Sequence, residues 1–221
     1  MNVLALDTAT PSTAVAVLGA RGARIDLRDD PAPASRGEHA ERVLVLAADA
    51  LAQAGLDWTD LELIAVGTGP GGYTGLRIGI ATARGLARGH GTALAGVGTL
   101  RALAQPLREV CALALTDARR GELFVAAYED DVQVIAPAVI TPAELPAVLA
   151  RIGERPLRAV GDGALACRVE LEALGVEVPG EDSPLHHVSA AAIGAVAIGD
   201  RNADVTPRYL RRPDAELALG R

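Results

Sequence analysis

Two periodicities divide the chain. Apolar runs at Asn2 to Leu6 and Thr13 to Leu18, separated by the hydroxyl-rich turn Asp7-Thr8-Ala9-Thr10-Pro11-Ser12, predict two strands. Arg24 to Leu27, after the Gly19 to Gly22 turn, predicts a third, so the chain opens on an antiparallel meander. Arg28 to Ala34 reads as a polar linker. Ser35-Arg36-Gly37-Glu38 then has the spacing of a capping box, in which hydroxyl and carboxylate satisfy the first-turn amides of a helix. That helix carries Val43, Leu46, Ala47, Ala50, Leu51 and Ala54 on one face and is stopped by Gly55. Leu44 and Ala48 fall off the stripe, which predicts a second apolar face open to a partner. Beyond it the pattern predicts a buried strand at Leu61 to Val66, a helix at Leu76 to Ala87, a strand at Thr92 to Val97 and a short helix at Thr99 to Ala104.

Pro106 marks a break, after which the order of elements starts again. Strands are predicted at Val110 to Leu115, Leu123 to Tyr128 and Val132 to Ile135, with the charged turn Thr116 to Glu122 after the first. Thr141-Pro142 opens a helix to Ala150. A strand at Leu157 to Val160, the turn Gly161-Asp162-Gly163, an amphipathic helix to Leu174 and a last helix at Val188 to Ile198 follow. Two halves that each begin with antiparallel strands and continue with alternating helices and strands predict an α/β protein of two domains, residues 1–105 and 106–221, with a ligand cleft between them.

Between the strand ending at Val66 and the next helix lies Gly67-Thr68-Gly69-Pro70-Gly71-Gly72-Tyr73-Thr74-Gly75, with five glycines in nine positions. A strand-to-helix turn of this kind can present amides to an anion. Gly67, Gly69 and Gly72 satisfy the dinucleotide fingerprint, but no acid follows Glu62 before Glu109 to hold a ribose. A P-loop needs lysine, and all 21 basic residues here are arginine. On the helix itself Gly75, Gly79 and Ala83 recur every fourth residue, a spacing that lets another helix approach closely.

Composition narrows the classes further. The chain has 221 residues, half of them hydrophobic, but only five are Phe, Tyr or Trp, so its core is built from Ala, Val, Leu and Ile. No apolar run approaches the roughly 18 residues of a membrane span, and Met1 to Leu6 reads as a cytoplasmic strand rather than a signal peptide. A net charge of −7 argues against wholesale nucleic-acid binding. The acid-free stretch from Leu63 to Arg108 nevertheless carries Arg77, Arg84, Arg88, Arg101 and Arg108. Cys111 and Cys167 stand in apolar settings and read as buried core residues.

The residues assemble no familiar catalytic constellation: there is no G-x-S-x-G turn, no H-E-x-x-H and no C-x-x-C. His39 lacks a second histidine one turn away, and His186-His187 are adjacent residues that point apart in an extended chain. Asp7, Asp117 and Asp162 each follow a predicted strand, where a two-domain nucleotide-binding fold places phosphate and metal contacts. They are the only carboxylates with catalytic promise, and each can equally be a turn cap.

Asp7-Thr8-Ala9-Thr10, Glu38-His39-Ala40-Glu41-Arg42, the run from Gly69 to Gly79, Asp117-Ala118-Arg119-Arg120-Gly121-Glu122, Gly161-Asp162-Gly163 and Pro207-Arg208-Tyr209-Leu210-Arg211 together resemble the bacterial TsaB (YeaZ) family, in the family's order and over almost the whole chain. The resemblance implies two ribonuclease-H-like domains of the actin-like ATPase (ASKHA) class. It also implies an accessory role in forming N6-threonylcarbamoyladenosine in tRNAs that read ANN codons, beside the relative TsaD. The metal-binding His-x-x-x-His pair of that relative falls on Thr99 and Leu103 here, which implies a non-catalytic subunit.

The implied interface comprises Glu38, His39, Arg42, Leu44, Ala48, Gly75, Arg77, Gly79 and Ala83. It faces TsaD, with the pathway ATPase TsaE reached through that complex, a second copy when TsaD is absent, and tRNA only indirectly. Asp7, Thr8, Gly71, Gly72, Asp117 and Asp162 are the candidate contacts for a nucleotide, ATP or ADP, at a cleft or partner interface; the chain alone requires no cofactor and no metal. The competing class is an independent actin-like enzyme, an ATPase or glycoprotease, with Asp7 and Asp117 holding metal-bound water.

Overall fold

The computed structural model describes residues 1–31, 38–201 and 203–211. By internal contact the chain forms two units. The first comprises Met1–Ala102 and Val188–Arg208; the second comprises Leu103–His187 and the segment from Tyr209 onward.

In the first unit β1 (Val3–Asp7), β2 (Thr13–Leu18) and β3 (Arg24–Asp29) form the expected antiparallel meander. β4 (Leu63–Gly67) and β5 (Ala93–Val97) run parallel to β1, giving the order β3-β2-β1-β4-β5. β1 and β4 are buried along their whole length, which is why they read as continuous apolar runs rather than alternating ones. Helix α1 (His39–Ala54) and helix α2 (Tyr73–His90) pack on one face of this sheet, where Leu4, Leu6, Val15, Val17, Ile64 and Val66 meet their apolar stripes. α1 ends at Gly55 with φ +65°, the left-handed conformation that glycine adopts without a Cβ penalty. The short helix α3 (Thr99–Ala104) follows β5 as the spacing predicts.

The structure departs from or adds to the sequence pattern at four places. Ser35, the proposed cap, lies outside the described residues; α1 starts at His39, so Glu38 precedes the helix and makes no side-chain cap instead of occupying its third position. Trp58–Asp60 forms a single 3-10 turn capped by Asp57, which the apolar pattern did not register. The C-terminal helix, α7 (Ala190–Gly199), belongs to the first unit and not to the second half of the chain. Its sequence is apolar on all sides, and such a helix is stable only when enclosed. Gly194 supplies the closest approach, with its missing Cβ position 3.4 Å from Ala5 and 2.8 Å from Leu18 on the other face of the sheet. Finally, the segment after α7 returns to the first sheet: Gly96 of β5 donates to the Ala203 carbonyl at 3.1 Å, and Arg208 donates to the carbonyl of Thr68, just after β4, at 2.8 Å. Residues 203–208 are thus a strap along the open edge of the first sheet.

The second unit repeats the plan. β6 (Cys111–Arg119), β7 (Glu122–Glu129) and β8 (Val132–Ile140) are antiparallel, β9 (Leu157–Val160) is parallel to β6, and the order is β8-β7-β6-β9. The chain around Glu177 occupies the fifth place, bridging to Arg158 in parallel. This duplicated order, antiparallel then parallel, is the ribonuclease-H-like arrangement. Helices α4 (Leu145–Ile152), α5 (Asp162–Ala166) and α6 (Arg168–Ala173) belong to this unit; Leu145, Val148, Ile152, Ala164 and Leu171 enter a core that includes both cysteines. His186 is buried, with Nδ1 3.2 Å from the Gly161 amide and Nε2 3.1 Å from the Pro179 carbonyl. It ties two loops together, a structural duty for a residue whose spacing argued against ligation.

Candidate functional site

Two kinds of surface compete for function: the carboxylates at the strand ends and the outward faces of α1 and α2. At the end of β1, Asp7 is fully buried and one carboxylate oxygen accepts from the Ala9 amide at 3.1 Å, while Oδ1 has no partner among the described residues. Burial pushes its carboxyl up to about 6, against the opposing hydrogen bonds from Ala9 and Thr10. Gly67, opposite it on β4, must be glycine, because a Cβ would sit 1.9 Å from Asp7 Oδ1. Thr8 is buried and its hydroxyl donates to the Gly75 carbonyl at 2.7 Å.

The glycine loop has an internal function. The Gly72 amide donates to the Ala9 carbonyl at 2.7 Å, and a Cβ on Gly71 would lie 2.2 Å from that same oxygen. A Cβ on Gly75 would lie 2.0 Å from the Thr8 carbonyl oxygen and one on Gly79 2.4 Å from Thr8 Oγ1. The glycines therefore let the start of α2 rest directly on the β1–β2 turn. This corrects one expectation: Gly75, Gly79 and Ala83 are buried against the chain's own β1–β2 turn and first sheet. The Thr8 hydroxyl and the Gly72 amide are engaged internally.

In the second unit Asp162 is exposed as a residue, but its Oδ1 accepts from the amides of Asp117 at 3.0 Å and Gly163 at 2.9 Å. Desolvation raises its pKa, helped by the Asp117 charge and opposed by those amides. Asp117 accepts from the Arg119 amide at 2.7 Å and pairs with its guanidinium at 3.2 Å. Arg211, from the C-terminal motif, pairs with Glu122 at 3.5 Å and donates to the Ala118 carbonyl. The charges of this hairpin tip thus serve one another, at a turn where Arg119 and Arg120 have positive φ.

The expected interface residues separate into inward and outward sets. His39 is half-buried, its Nδ1 2.8 Å from Thr13 Oγ1, and desolvation lowers its pKa. Arg42 pairs with Asp29 of β3 at 3.2 Å. Leu44 and Ala48 do point outward, as the off-stripe positions predict, and Leu44 is 46% exposed. Val45, which sequence reasoning missed, is 47% exposed beside it. On α2, Arg77, Arg84 and Arg88 are exposed, with the Arg77 guanidinium 4.1 Å from the Tyr73 ring centroid. Of the other arginines of the acid-free stretch, Arg101 lies on α3 in the first unit, and Arg108 belongs to the second unit, where it pairs with Asp131 at 2.6 Å.

The family model described as "TsaD: tRNA N6-adenosine threonylcarbamoyltransferase" matches residues 30–171. An uncharacterized protein of Mycobacterium tuberculosis is 34% identical over 217 residues, covering 97% of this chain and 94% of that one. The tRNA threonylcarbamoyladenosine biosynthesis protein TsaB of Escherichia coli is 39% identical over 137 residues, 59% of this chain and 56% of that protein. A crystal structure from Pseudomonas aeruginosa, described as an uncharacterized protein with similarity to peptidase YEAZ, superposes with a TM-score of 0.74 at 27% identity, covering 95% of this chain and 99% of that one. With its duplicated sheet order and its motifs in place, the chain belongs to the TsaB (YeaZ) family.

Proposed function

We propose that this chain is the non-catalytic accessory subunit of a tRNA threonylcarbamoyladenosine-forming assembly, and that it docks a TsaD-type threonylcarbamoyltransferase through the outward faces of α1 and α2. The observation that carries the reading is the exposure of Leu44 and Val45, 46% and 47%, on a helix whose opposite face is buried in the first core. Apolar side chains grouped on one helix face call for a covering surface. The neighbouring α2 adds Arg77, Arg84 and Arg88, suited to carboxylates at the rim of such a contact. Support also comes from the strand ends, where Thr8, Asp117 and Asp162 are engaged by the chain's own backbone. In this reading TsaE is reached through the TsaD complex, a second copy covers the same face when TsaD is absent, tRNA contact is indirect, and the setting is the cytoplasm.

The double variant L44E/V45E is expected to remain folded, because both side chains are solvent-facing, and to lose co-elution with a TsaD-type partner by at least about tenfold in affinity, the effect of burying unpaired charge at an interface. Retained co-elution would remove α1 from the interface. In a reconstituted modification reaction, omitting the chain should abolish threonylcarbamoyladenosine formation; full yield without it would end the accessory reading. The competing enzyme reading has its own measurement: ATP hydrolysis or peptide cleavage by the purified chain, lost in D7N, would overturn the non-catalytic assignment.

A further inference from the structure

The corner where β4 and β5 end contains polar groups that the fold leaves without partners. Thr68 and Thr99 are fully buried, and neither hydroxyl has a hydrogen-bond partner among the described residues. Arg101 Nε is buried and equally unpartnered. All three sit around one corner: the Thr68 amide donates to the Val97 carbonyl at 2.8 Å, and the Thr99 amide donates to the Gly69 carbonyl at 2.9 Å. Gly98 lies at the centre. The point where its side chain would begin is 3.8 Å from an Arg208 guanidinium nitrogen and 3.9 Å from Arg101 Cβ. No ion pair within 4 Å to either arginine is present among the described residues, Asp204 on the strap faces Arg208 electrostatically, and the sequence from Leu63 to Arg108 contains no acid.

Orphaned buried hydroxyls are uncommon in native proteins, and a buried guanidinium nitrogen without an acceptor is more costly still. One kind of ligand relieves all of these together. We propose that the β4–β5 corner, built from Thr68, Thr99, Arg101 and Arg208, binds a small oxyanion, a phosphate or the phosphate group of a nucleotide. Arg101 and Arg208 supply charge-assisted donors, and the hydroxyls donate to oxygens that the anion brings. The carboxyl ends of parallel strands are where open α/β sheets place their ligands. Arg208 arrives on the C-terminal strap, so the site is completed by a segment distant in sequence. This site is separate from the docking face of α1 and stands whether or not that face binds TsaD.

The test is titration of the full chain with inorganic phosphate at constant ionic strength, followed by phosphorus NMR line broadening and by the thermal midpoint, with AMP run beside it. Phosphate should broaden and raise the midpoint of the wild type. R101Q and R208Q should each weaken binding by about tenfold or more, while R151Q, an exposed arginine in the second unit, should leave it unchanged. If R101Q does not fold, T99V keeps the side-chain volume, removes the donor and should weaken binding several-fold. Dependence on Arg101 with phosphate alone identifies a free oxyanion; dependence appearing with AMP identifies a nucleotide phosphate, and either supports the site. No response to phosphate or AMP in the wild type, or the same loss in R151Q as in R101Q, would overturn it. Co-elution with a TsaD-type partner should be intact in R101Q, which separates failure of this site from failure of the docking surface.

Discussion

Gly75→Ala should destabilise the first unit by about 3 kcal/mol or more, the upper part of the range for forcing atoms into a packed site. The added Cβ would lie 2.0 Å from the Thr8 carbonyl oxygen and 3.4 Å from His39 Nε2. The near obstacle is backbone, which has no rotamer to change. Relief requires α2 to move off the β1–β2 turn, and that movement breaks the Thr8 hydroxyl bond to the Gly75 carbonyl and the Gly72 amide bond to Ala9. Gly85→Ala in the same helix should do the opposite. Gly85 is exposed and its Cβ would meet nothing within 4 Å, so the change removes only the unfolded-state freedom of glycine and should stabilise by roughly 0.5–1 kcal/mol. The single tryptophan, Trp58, lies in the first unit and reports its urea transition directly. Midpoints shifted in the same direction by the two substitutions would contradict the seating of α2. The same geometry makes Gly79→Leu a folding defect rather than a test of partner binding, since its first side-chain atom would start 2.4 Å from Thr8 Oγ1.

That reversal marks what periodicity can and cannot supply. Spacing places Gly75, Gly79 and Ala83 on one side of α2, and the structure agrees. Spacing does not say whether the neighbour is another protein or the chain's own turn 67 residues earlier, because small residues permit either approach. Leu44 and Ala48 were legible for a different reason: both fall off the inward stripe of α1 formed by Val43, Leu46, Ala47, Ala50 and Leu51, an argument that applies equally to the overlooked Val45. Each sheet's antiparallel opening could be read from local turns, whereas α7 could not be placed, since an all-apolar helix declares that it is buried without declaring against what. The orphaned hydroxyls of Thr68 and Thr99 were invisible for the same cause. Whether a threonine finds a partner depends on residues such as Ala203 and Arg208 that reach it only through the fold.

Asp7 gives the second large effect, and its sign follows from burial. The folded carboxyl titrates at about 6 and an unfolded one near 3.8, so the folded state binds the extra proton between those values. The stability contributed by protonated Asp7 is fully present below about pH 4 and is lost as pH rises through 6, a loss of about 3 kcal/mol at 1.36 kcal/mol per unit. Asp7→Asn removes the ionisation while its amide oxygen can still accept from Ala9. Unfolding free energies from urea transitions followed at Trp58 should therefore show the variant gaining on the wild type by about 3 kcal/mol between pH 3 and pH 8. Parallel profiles would show that burial does not shift the Asp7 carboxyl in the folded chain. A divergence of the expected size means that the chain carries a buried, uncompensated charge at neutral pH, which points to a role for Asp7 other than stability.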